Sequence, residues 1–90
     1  MSNTLDIQVT EFISHNNDGT QESSFGYRIY DSYGADYCNT FETLEEAMDY
    51  VCVENLEKIL QASEAFADNL PELFTAIYIN GEDVTEEVKG

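Results

Sequence analysis

The chain has 90 residues, 19 of them Asp or Glu against three Lys or Arg, for a formal net charge of −16. That length holds one small core and no second domain, since domains below about 50 residues rarely stand alone. The charge excludes a protein that itself grips nucleic acid or an anionic membrane, because both need clustered Lys and Arg. Six Tyr, five Phe and a 42% hydrophobic share also exclude charge-driven disorder, which goes with low hydrophobicity.

Leu5, Ile7 and Val9 alternate with Asp6, Gln8 and Thr10, the period of two of a strand with one buried face. Phe12-Ile13 then shifts the alternation, which predicts a bulge or the strand's end. The polar run from His15 to Thr20 is a turn, with Asp18-Gly19 suited to positive φ. Phe25, Tyr27 and Ile29 mark a second strand, Asp31-Ser32-Tyr33-Gly34 the next turn, and Tyr37 to Phe41 a third strand. Together these read as an antiparallel meander.

The period then changes. Thr43 followed three residues later by Glu46 is a capping box, predicting a helix from Leu44 to about Asp68 that stops before Pro71. Its first stripe is Leu44, Ala47, Met48 and Val51, and its second is Leu56, Ile59, Leu60, Ser63 and Phe66. The two lie roughly a quarter-turn apart at about 100° per residue. Either the helix breaks near Val53-Glu54-Asn55, the preferred reading, or it buries a wide face. A strand from Leu73 to Ile79 follows, then Asn80-Gly81 as a type I′ hairpin turn. Val84 to Val88 reads as a short edge strand guarded by Glu86, Glu87 and Lys89. The expected fold is α+β: an antiparallel β-β-β-α-β-β sheet with one long, kinked helix packed on one face.

No catalytic motif stands in the chain. His15, the only histidine, falls in a polar turn, and neither cysteine has a basic neighbour to lower its pKa. Cys38 and Cys52 are separated by 13 residues without a second paired element, so they form no zinc framework and are expected reduced. An EF-hand alignment on Gly19 puts Ser14 at the first ligand position and Phe25 at the last, where acids are required. Neither enzyme, metal site nor cofactor is expected. No run of roughly 18 apolar residues would span a membrane, and the first residues carry no basic-then-apolar signal, so the expected location is the cytoplasm.

What remains is the acidic surface. On one continuous helix Glu42, Glu45, Glu46, Asp49, Glu57, Glu64 and Asp68 would fall within an arc of roughly 140° that holds no Lys or Arg. Like charges three or four residues apart repel by a few tenths of a kcal/mol each. Solubility asks only for a net charge of about 2–8, so the field exceeds that need, although a halophilic origin would also favour acids. Asp31 and Asp36 extend the field into the preceding turn and strand. Tyr30, Tyr33 and Tyr37 are candidates for stacking on a partner's Arg.

A strongly acidic chain under 100 residues resembles the phage-encoded DNA-mimic inhibitors, the anti-CRISPR proteins especially. The likeness lies in size, charge, the aromatic-acidic stretch from Gly26 to Tyr37 and the helix start Phe41-Glu42-Thr43-Leu44-Glu45-Glu46-Ala47. That class has no shared motif and many folds, so no residue role transfers. The resemblance implies a monomeric, stoichiometric inhibitor in the host cytoplasm. It would occupy the Lys/Arg-rich DNA-binding groove of a CRISPR surveillance complex or similar defence enzyme, without binding nucleic acid itself. The expected partner contacts are Glu42, Glu45, Glu46 and Asp49, with Asp31 and Asp36, then Glu57, Glu64 and Asp68. The alternatives are an acidic adaptor or chaperone that sequesters a basic protein, and a small metal-binding buffer.

Overall fold

The computed structural model describes residues 3–68 and 70–89. Strand β1 (Thr4–His15) pairs antiparallel with β2 (Gln21–Tyr30) in unbroken register from Asp6↔Tyr30 to His15↔Gln21. The expected bulge or end at Phe12-Ile13 is absent. Leu5, Ile7 and Val9 share their face with Glu11 and Ile13, and Phe12 simply belongs to the other face. The alternation blurs because the far half of the hairpin extends beyond the helices, where no core selects for apolar residues. The connecting turn has Gly19 at φ 89°, and the Asp18 carboxylate accepts from the Thr20 amide at 3.0 Å and its hydroxyl at 2.6 Å.

Strand β3 (Ala35–Phe41) completes the meander against β2. Its register steps from Tyr27↔Cys38 to Phe25↔Phe41, so Gly26 alone on β2 opposes Asn39 and Thr40 on β3. This is the bulge of the sheet. Gly26 sits under it because nothing larger fits: a Cβ there would lie 1.7 Å from the Cys38 carbonyl oxygen.

Helix α1 (Leu44–Tyr50) starts as expected, with Thr43 Oγ1 accepting from the Glu46 amide at 3.1 Å. The long helix does not form. Cys52 is extended at φ −146° and ψ 168°, a 3₁₀ turn covers Val53–Asn55, and α2 occupies only Leu56–Ala62. The Tyr50-Val51-Cys52-Val53 run holds poor helix formers, and the break lets Ala47 and Val51 of the first stripe face the sheet with the whole of the second, while Leu44 and Met48 stay exposed. Asn55 Nδ2 secures it by donating to the Tyr50 carbonyl at 2.9 Å. After Ala62 the chain leaves the helix again, and Phe66 reaches the core from a turn.

A 3₁₀ turn at Pro71–Leu73 precedes β4 (Ala76–Ile79), shorter than the expected strand from Leu73. Strand β4 runs parallel to β1, with Leu5↔Ile77 and Ile7↔Ile79, so the sheet is mixed and not antiparallel throughout. A chain that leaves β3, crosses a sheet face through helices and lands beyond β1 arrives in the direction it left. The strand order is β3-β2-β1-β4-β5, with β5 only Glu82–Asp83. Between β4 and β5, Asn80 and Gly81 take φ of 53° and 82°, the turn their identities predict. Asn80 also ties this turn to β1, its side-chain oxygen accepting from the Val9 amide at 2.8 Å.

The expected final edge strand is instead helix α3 (Thr85–Lys89). Asp83 accepts from the Thr85 amide at 3.0 Å, acids occupy the first turn and Lys89 the last, all favourable to the helix dipole. Val84 and Val88, four apart, face the core.

Leu5, Ile7, Tyr27 and Ile29 from the sheet pack against Val51, Leu56, Ile59, Leu60 and Phe66, with Phe74, Ile77 and Val84 closing the far end. Burial, then the adjacent Cys38 thiol, pushes the Tyr27 hydroxyl above its ordinary pKa. Both cysteines are half-buried and free. Among the described residues no helix is long and apolar enough to cross a membrane.

Candidate partner-binding surface

The sheet has one face covered by helices and one open. On the open face Tyr37, Arg28 and Gln8 are register neighbours, as are Tyr30, Asp6 and Tyr78. The Arg28 guanidinium lies 5.3 Å from the centre of the Phe12 ring, which packs on Tyr37 at 5.5 Å. Tyr33 and Tyr37 are 71% and 63% exposed and Tyr30 36%, so all three stacking candidates reach solvent. A cation of the chain itself already sits among them.

The single acidic arc is not realised, because the helix that would carry it is broken at Cys52 and ends at Ala62. Glu42, Glu45, Glu46 and Asp49 stay together, all exposed, over the start and body of α1. Glu57 is exposed on α2, while Glu64 and Asp68 lie exposed in the turns beyond it.

Asp31 and Asp36 differ from the rest, for both are half-buried and internally engaged. Asp31 Oδ1 closes its turn by accepting from the Tyr33 and Gly34 amides at 2.8 and 2.7 Å. The Asp36 carboxylate accepts from the Ser63 hydroxyl and, at 2.8 Å, from its neighbour's amide at Tyr37. It thereby pins the end of α2 to β3, and Ser63 is the buried polar partner that makes the contact.

The Ser63 hydroxyl, followed by the Tyr37 amide, holds the Asp36 carboxyl below the usual carboxylate range. A depressed folded-state pKa contributes stability above the unfolded value and loses it as pH falls through the folded value. The stability advantage of the native chain over Asp36→Asn is therefore expected to be full near neutrality and to shrink from about pH 4 downward. Urea midpoints of the two proteins across that range check it.

A second group of acids has no trace in local spacing. Glu54, Glu57, Glu72 and Glu87 line one depression with Leu56 and Leu70. Glu54 and Glu87 also border the neighbouring groove, together with Glu82. These residues come from the 3₁₀ turn before α2, α2 itself, the turn at Pro71, the β4–β5 hairpin and α3, so only the tertiary fold unites them. Among the described residues, no three His, Cys, Asp or Glu side chains converge as metal ligands would.

With the geometry set out, comparison with known proteins adds no relative: the chain matches no family model, no curated protein sequence and no solved structure.

Proposed function

We propose that the protein is a non-catalytic inhibitor that presents nucleic-acid-like charge to the Lys/Arg-lined groove of a CRISPR surveillance complex or similar DNA-binding defence enzyme. It acts as a monomer in the host cytoplasm and blocks access of target DNA. The observation that carries this reading is charge density. A net −16 along a molecule 49 Å long is one charge per about 3 Å, close to the 3.4 Å per phosphate of one strand of duplex DNA. Three cations cannot neutralise 19 carboxylates, and the acids of α1, α2, β5 and α3 are all exposed. Such a field steers a cationic partner and makes association fall steeply with salt.

The adaptor reading draws support from a different observation: Leu44 and Met48, one turn apart on α1, are 47% and 52% exposed beside the acids. Apolar contacts of that kind suit a protein partner whether or not it binds DNA. A pull-down from a bacterial lysate with DNA-targeting complexes, eluted in parallel with duplex DNA and with salt, separates the two. Mimicry expects DNA to release a nucleic-acid-binding complex. A basic protein that only salt releases would favour the adaptor.

A further inference from the structure

Met48, Val51, Cys52, Ile79 and Val84 form the apolar floor of a groove of about 620 Å³ between the end of α1, the β4–β5 hairpin and α3. Its volume is within the usual range of clefts that take a ligand, about 300–1,000 Å³. Three carboxylates, Glu54, Glu82 and Glu87, stand on its rim, and no Lys or Arg lines it among the described residues. Leu44, one turn before Met48 on the same side of α1, extends the apolar strip beyond the groove. A surface that only imitates phosphates has no use for this floor. Met48, the most exposed of the five, suits the groove to large apolar side chains of varied shape.

We propose that this groove docks a basic amphipathic segment of the target protein, its large apolar side chains on the floor and its Lys or Arg side chains against the three rim carboxylates. The inference rests on the reading that the chain engages a cationic partner, and it names the chemistry of that partner at one place. Helix-in-groove recognition needs this combination: anchors at intervals of three or four residues for affinity, and charges at the edge for orientation. The groove supplies both signals on one surface.

The chain has no Trp, so a Trp-labelled synthetic peptide reports its own binding by fluorescence. Two probes are compared, an amphipathic Lys/Leu helix and an oligolysine of equal charge, at low and high salt. The amphipathic probe is expected to bind at least about tenfold more tightly and to keep most of its affinity at high salt, where oligolysine loses its own. Met48→Glu decides the matter by sign. Met48 is half-exposed, so its replacement spares the core. The change adds a negative charge, which strengthens purely electrostatic binding, but it spoils an apolar floor. About a tenfold loss for the amphipathic probe, with oligolysine unchanged or tighter, supports the groove, and Met48→Leu should restore the native affinity. Equal binding of both probes, with Met48→Glu tightening both, overturns the groove and leaves charge presentation standing. No binding of either probe at low salt overturns both.

Discussion

Gly26→Ala is expected to detach β3 from the sheet. The new Cβ would meet the Cys38 carbonyl oxygen at 1.7 Å, its carbon at 2.6 Å and the Asn39 Cα at 2.7 Å, all of them backbone atoms. A side-chain clash can be relieved by a change of rotamer, but here the strand itself must move. Moving it disturbs the bulge and the Tyr27↔Cys38 and Phe25↔Phe41 pairs on either side. It also shifts Asp36 away from Ser63, loosening the end of α2. Overpacking a rigid site costs about 1–3 kcal/mol and occasionally more, and this one belongs at or above the top of that range. Gly34→Ala is the internal control, since a Cβ there has nothing within 4 Å. Urea denaturation should show a large loss for Gly26→Ala and little change for Gly34→Ala. Equal effects would contradict the packing described at the bulge.

Reversing Glu45, Asp49 and Glu57 to Lys is expected to abolish inhibition while preserving the fold. Each reversal replaces a negative charge with a positive one, a shift of two, so the net charge goes from −16 to −10. All three side chains are exposed, so no core contact is lost. Two opposing effects set the stability. Relief of repulsion contributes a few tenths of a kcal/mol per neighbouring pair, while a Lys in the first turn of α1 opposes the helix dipole by about 0.3–1 kcal/mol. The melting temperature should therefore change little. Binding should change much more, because like charges brought together at an interface cost several kcal/mol, a loss of at least about a hundredfold in affinity. Inhibition that survives with full potency in this variant would remove α1 and α2 from the interface.

The local signals that proved legible were those with a short-range physical cause. Thr43 with Glu46 marked the start of α1, Asn80-Gly81 marked its hairpin, and the Leu5, Ile7, Val9 alternation marked the strand at the centre of the core. The offset of the two helical stripes pointed to the break, because one straight helix cannot turn both toward one sheet. What stayed hidden depended on long-range pairing. Nothing near Ile77 reveals that it lies beside Leu5 in parallel, and a pattern of alternation reads the same in either direction. The α3 helix was legible in principle, from Val84 and Val88 four apart with Asp83 and Thr85 before the acids, but so short a segment also fits a strand.

The candidate surface divides in the same way. Glu42, Glu45, Glu46 and Asp49 are close in sequence and stay together, Glu42 just before the Thr43 cap and the other three on α1. Asp31 and Asp36 looked equivalent to them, yet each bonds within its own turn or to Ser63, a partner 27 residues away. Glu82 and Glu87 of the acidic rim lie close in sequence, but Glu54 comes from the turn before α2, so no short window of sequence contains all three.

Charge mimicry is tested most directly by the binding of labelled target duplex to a purified CRISPR surveillance complex, titrated with this protein. The proposal expects DNA binding to fall at near-stoichiometric protein, the loss to be reversed by excess duplex and weakened by added salt, and the triple Lys variant to leave DNA binding intact. Full DNA binding at saturating protein, across complexes of different type, would contradict it.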